Sequence, residues 1–167
     1  MNKRKIPEND PVRVDQREAI AQRRVGVGAR CAICGESRPE ALIPGSDPMT
    51  CVECQRKRNG HALTDKHHVA GENNSPITIE VPVNDHRAEL NVAQYGWLKS
   101  TLQNPDGDPI IAIAAWLLGT ADTIIYLVHK FIVAAAECLE TLAEFLTNKL
   151  GPRWWIGTPL ERFAPKR

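Results

Sequence analysis

Cys31 and Cys34, and again Cys51 and Cys54, form two CxxC pairs separated by a sixteen-residue spacer. Two residues between thiols let a tight turn aim both sulfurs at one ion, and a second such turn completes a tetrahedron. The pattern predicts a structural zinc site. Four protein ligands leave no open position for substrate, so an ion held this way stabilises the fold and does not catalyse. One CxxC alone would also suit a redox pair at a strand–helix junction, and paired cysteines can form disulfides. Two pairs at this spacing, in a chain with no sign of secretion, favour zinc over both. The fifth cysteine, Cys138, stands in an apolar helical stretch and reads as core packing.

A second concentration of reactive groups starts at Asp65, Lys66, His67 and His68 and passes through Gly71, Asn73, Asn74 and Ser75. After an apolar segment at 77–83 it ends at Asn84, Asp85, His86 and Arg87. A His-His pair on a strand is ordinarily exposed or hydrogen-bonded without further role. Here it comes with a loop asparagine, a second strand, a helix-start histidine and an upstream zinc pattern, in that order. With that arrangement the sequence resembles the HNH family of endonucleases. Their ββα-metal finger carries a His-His or Asp-His pair on its first strand and another ligand at the start of its helix. The resemblance covers about residues 61–95, or from Cys31 onward if the upstream zinc knuckles of some members are counted, and residues 100–167 lie outside it.

Position by position, the resemblance implies that His68 is the general base that takes a proton from water. His67 and His86 become ligands of a catalytic divalent ion, Mg2+ or similar. Asn74, or alternatively Asn73, corresponds to the asparagine that braces the loop and keeps the base oriented. Such chemistry needs a neutral imidazole to accept the proton and a cation to offset charge building on the phosphate. Many members place a second cysteine pair just before the helix histidine, where this chain has Pro82 and Asp85. Where they often add a further His or Asn four residues later, it has Leu90. The implied ion is therefore held by two protein ligands, with water and phosphate oxygens completing a shell that magnesium accepts. Adjacent strand residues point to opposite faces, so His67 and His68 can serve one phosphate only if the strand ends there and twists into the loop.

These groups need elements to position them. Residues 1–30 read as a basic amino-terminal arm or a short helix, with Asp10 and Pro11 placed as cap and first helical position before Val12 to Arg24. Breakers at Gly35, Pro39, Pro44, Gly45 and Pro48 make the cysteine region loop-rich. Residues 61–69 and 77–83 predict two strands of a hairpin, and Asn84 or Asp85 can cap a helix from His86 with Leu90, Ala93 and Trp97 at helical spacing. Zinc site and finger together make a unit over 31–103. The remainder, 104–167, is an apolar helical region with a basic tail. A break at Gly119–Asp122, with Thr120 or Asp122 capping a second segment, makes that region a helical hairpin over 110–146, available to a second copy or a protein partner. Trp154 and Trp155 are expected to pin the tail. The fold class is α+β: a small zinc-stabilised ββα finger with an appended helical hairpin.

Residues 109–128 carry one charge, Asp122, which raises the question of a membrane span. Asp122, Gly119 and the threonines interrupt a length that barely reaches the roughly 20 residues needed, so a membrane is not expected. With no signal peptide pattern at the start, a reducing cytoplasm is the expected compartment. Thirteen Lys and Arg against nine Asp and Glu over residues 1–70, and two against six over 104–150, put the basic surface in the amino-terminal half. Arg56, Lys57, Arg58 and Lys66 are the expected phosphate contacts to DNA, which position a duplex without reading its bases. The expected activity is metal-dependent hydrolysis or nicking of DNA phosphodiester bonds, without a small-molecule cofactor. The alternative is an inactive zinc-stabilised module that binds nucleic acid or protein.

Overall fold

Two extended segments pair where the sequence turns from polar to apolar. In a computed structural model that describes residues 11–165, Thr64–His68 (β1) and Thr78–Pro82 (β2) form an antiparallel hairpin. Its register sets Asp65 against Val81, His67 against Ile79 and His68 against Thr78. The strand therefore ends at His68. Val81 is 2% exposed and Val83 is fully buried, so the apolar side of β2 faces the interior while Glu80 faces solvent.

Ahead of the hairpin lie α1 (Pro11–Val25), a 3-10 turn at Pro39–Ala41 and α2 (Val52–Arg58). The expected cap at Asp10 lies outside the described residues. Helix α1 packs against the Pro39–Ala41 turn and the later helix over Asn91–Gly96, with the Arg17 guanidinium 3.1 Å from the centre of the Tyr95 ring. After β2 the chain coils as α3 (Val83–Asp85), a π-helical turn over His86–Leu90 and α4 (Asn91–Gly96), followed by α5 (Lys99–Gln103). Helix α3 thus begins at Val83, ahead of the expected start near His86. Neither Asn84 nor Asp85 caps it. The Asn84 carboxamide oxygen instead accepts from the Glu53 backbone N–H at 3.1 Å, a bond to α2 that outweighs local capping.

Helix α6 runs unbroken over Pro109–Leu150. Asp108 caps it, its Oδ1 accepting from the Ile110 N–H at 2.8 Å, with Pro109 supplying a preset first turn. The helical hairpin expected over 110–146 is corrected to this single helix. Gly119 marks a close approach, not a break: a Cβ built there would sit 1.6 Å from the Val69 carbonyl oxygen and 3.1 Å from the Trp97 ring. Asp122 accepts from the Trp97 indole N–H at 2.9 Å and caps nothing. By length and composition α6 could cross a membrane.

The chain divides into two compact units, one ending at Tyr126 and the other beginning at Leu127. In the first, small apolar clusters form around Cys31, Leu42 and Cys51, around Ala70, Trp97 and Ala115, and around Val81, Leu90 and Tyr126. In the second, the helix ends at Gly151, whose φ of +89° suits a left-handed stop, and Trp154 packs edge-on against Trp155. The mixed helix-and-hairpin content is α+β.

Replacement of Gly119 by alanine should destabilise the first unit by at least the roughly 1–3 kcal/mol of ordinary overpacking, because the obstructing atom is backbone. Chemical denaturation reads it, and an unchanged midpoint would contradict the close approach.

Candidate functional site

The cysteine cluster is built by two turns and one helix start. Gly35, at φ +79°, closes the first turn with its N–H on the Cys31 carbonyl at 2.9 Å. Cys51 pairs with Leu42 in an isolated antiparallel bridge and then caps α2, its sulfur accepting from the Cys54 N–H at 3.4 Å. Ligand atoms of Cys31, Cys34, Cys51 and Cys54 all lie within 4.8 Å of one another, and the Cys34 and Cys51 sulfurs are 3.6 Å apart. Tetrahedral zinc with bonds of about 2.3 Å needs sulfurs roughly 3.8 Å apart. The cluster fits a metal ion.

Electrostatics agree with that fit. At Cys31 burial would raise the thiol pKa, yet backbone hydrogen bonds from Cys34, Ile33 and Cys51 bring it down to about 6. Cys34 and Cys54 are pushed up, first by burial and also by neighbouring sulfurs. One thiolate forms readily and discourages the next. A divalent cation removes that conflict by compensating all four.

The histidines occupy both faces of β1. His67 is 1% exposed, and its ring centre lies 5.3 Å from that of His86 in an edge-on arrangement. Asp65, on the same face two residues earlier, accepts from His86 Nδ1 at 3.4 Å and from Arg56 at 2.6 Å. Burial opposes the Asp65 charge, and Arg56 and His86 outweigh it to hold the carboxyl below its usual range. With Nδ1 of His86 donating to a carboxylate, its Nε2 keeps the lone pair. His67 Nδ1 is buried with no hydrogen-bond partner among the described residues. The Gln94 amide nitrogen, which can only donate, lies 3.3 Å from His67 Nε2, so Nε2 holds the lone pair and Nδ1 the proton; the same amide also reaches the carbonyls of His68 at 2.6 Å and Val69 at 3.3 Å. Burial, then the charges of His86 and His68, push the His67 pKa down to about 4, so the ring is neutral at working pH.

His68 closes the strand. Its Nδ1 lies 3.2 Å from the Ser75 carbonyl, which can only accept, so Nδ1 carries the proton and Nε2 the lone pair. Asn74 donates through Nδ2 to the carbonyls of Ala70 at 3.0 Å and Thr101 at 2.9 Å, bracing the 70–75 loop on α5. Asn73 is exposed. Of the expected phosphate contacts, Lys57, Arg58 and Lys66 are exposed, whereas Arg56 is engaged with Asp65 and the Ala62 carbonyl. Sequence reasoning gave no role to Asp65, Ser75 or Gln94. Asp65 alone left a trace, since i and i+2 on a strand share a face with His67.

No protein-family model matches this sequence, and neither a curated protein nor a solved structure matches the chain.

Two outcomes follow. Cys51→Ser, at a fully buried ligand position, should abolish the bound metal and lower the melting temperature, read by metal analysis and thermal unfolding. A neutral buried His67 adds stability in full above its unfolded pKa near 6.5, and that stability is lost as pH falls toward about 4. His67→Asn should therefore flatten the fall in unfolding free energy between those pH values, and a variant with the wild-type slope would remove His67 as the cause.

Proposed function

We propose that this chain is a metal-dependent endonuclease that hydrolyses or nicks DNA phosphodiester bonds. The observation that carries the reading is the edge-on pair of His67 and His86 at the strand end, next in sequence to a His68 whose Nε2 lone pair is fixed by the Ser75 carbonyl.

His68 Nε2 takes the proton from the attacking water. The Ser75 carbonyl keeps the ring in the right tautomer and favours the imidazolium that forms. His67 and His86 hold Mg2+ or a similar ion, which when bound offsets charge on the phosphate and the departing oxygen. Asp65 orients His86 from behind, and Arg56 keeps Asp65 ionised. Asn74 positions the loop that presents the Ser75 carbonyl. Lys57, Arg58 and Lys66 grip flanking phosphates. The four cysteines bind zinc, which stabilises the unit that carries the finger.

Supercoiled plasmid incubated with the protein and magnesium should be nicked or linearised, and a chelator should stop it. His68→Ala should reduce the rate by about 10² to 10⁴-fold, the usual share of a general base, with zinc content and fold retained. Full cleavage by that variant would sink the assignment of the base. Plasmid left intact by the wild-type protein under every metal condition would point instead to a binding module.

A further inference from the structure

The long helix α6 takes no part in the proposed chemistry, and its second half is apolar without being covered. Among the described residues none from Leu127 to Leu150 is fully buried. Val128, Phe131, Ile132, Leu139, Leu142 and Phe145 are each 47–75% exposed. Val128, Phe131, Ala135, Cys138, Leu142 and Phe145 recur at alternating intervals of three and four, the heptad spacing of a helix–helix seam. The same spacing runs upstream along α6 through Ile124, Ala121, Leu117 and Ala114. Lys130, Glu137, Glu140 and Glu144 fall on the opposite side.

That opposite side identifies the occupant. A membrane-crossing segment is apolar all round, and here three glutamates line one face. A helix lying on anionic lipid carries Lys and Arg on its polar face, and this face is acidic on balance. A protein surface remains, and the seam is complementary to itself. One heptad position holds mainly small residues, Ala114, Ala121, Val128, Ala135 and then Leu142. The other holds mainly large ones, Leu117, Ile124, Phe131, Cys138 and Phe145. In a parallel pair each position meets its own kind, alternating crowded and empty layers. In an antiparallel pair each layer takes one residue of each kind, which fills evenly and satisfies a two-fold axis. Area suffices: the six large side chains above with Leu117 and Ile124, at roughly 100 Å² exposed apiece, offer about 800 Å² per copy, the share of a standard interface.

We propose that a second copy of this chain covers the stripe, with the two α6 helices antiparallel. Sedimentation equilibrium of the full chain at micromolar concentration, without detergent, should give twice the chain mass of 18.6 kDa. Phe131→Glu on the seam should raise the dimer dissociation constant at least a hundredfold with bound metal and helicity unchanged, whereas Glu140→Gln on the far side should leave it as it is. Mild oxidation of the metal-loaded protein distinguishes orientations, because only a parallel pair sets Cys138 against Cys138. A covalent dimer that disappears in Cys138→Ser would overturn the antiparallel arrangement. A monomer at every concentration, or protein that leaves the dimer to sediment with phosphatidylglycerol vesicles, would overturn the proposal.

Discussion

Arg38 reaches carboxylates from both the cysteine loop and the helical run after the hairpin: Glu36 at 2.6 Å, Asp85 at 2.8 Å, and Glu89. The Glu36 and Asp85 side chains are 11% exposed, so these charges depend on one another more than on water. Three carboxylates exceed one cation, and neutral donors meet the surplus. The Tyr126 hydroxyl donates to Asp85 at 3.0 Å, and Asn84 donates to Glu36 at 3.4 Å. Burial, then Asp85, pushes the Tyr126 hydroxyl well above its ordinary range, so it stays a donor. A planar guanidinium can serve several carboxylates at once, which a lysine cannot. Loss of such a centre leaves buried carboxylates facing each other, a penalty of about 3–5 kcal/mol. The cysteine loop, the His86 turn and the middle of α6, at Tyr126, all rest on it.

Two kinds of site share this frame, and their surroundings separate them. The cysteine cluster offers four sulfurs and no vacant position, so its ligands serve the fold. Around the histidines the proposed ion would take only part of its shell from the protein, and the remaining polar groups orient rings and do not close them in. Asp65 behind His86 and Ser75 behind His68 each fix an imidazole from the side away from its lone pair, and Gln94 ties down the His68 carbonyl across the strand end.

The cysteine pairs, the hairpin and the α+β character are legible in the sequence because the cooperating residues are close along the chain and their types are distinctive. Asn74 stands out as a loop brace only through the family resemblance, and its bond to the Thr101 carbonyl, 27 residues on, leaves no local mark. Ser75 is not legible, since it acts through a carbonyl that every residue possesses. Gln94 and Arg38 act across long separations that no local pattern marks. Gly119 is ambiguous in principle: a helical glycine signals either a break or a close neighbour, and only the position of Val69 decides. Asn84 and Asp85 look like caps because nothing local reveals that α2 and Arg38 claim their side chains.

The Arg38 contacts also order events in time. Cys51 binds within α2 and bridges to Leu42, and β1 pairs with β2 across a short loop, so knuckle and hairpin close small loops and can form on their own. The bond from Arg38 to Glu89 spans 51 residues, and that from Tyr126 to Asp85 spans 41. Loop-closure entropy makes such contacts late and cooperative. On a ribosome, which releases the chain from its amino end, the knuckle and hairpin emerge well before Tyr126 does. The nascent chain therefore carries Asp85 without its hydroxyl partner and Val69 without Gly119 until α6 arrives, and that interval is when the half-built unit is most exposed to misassociation.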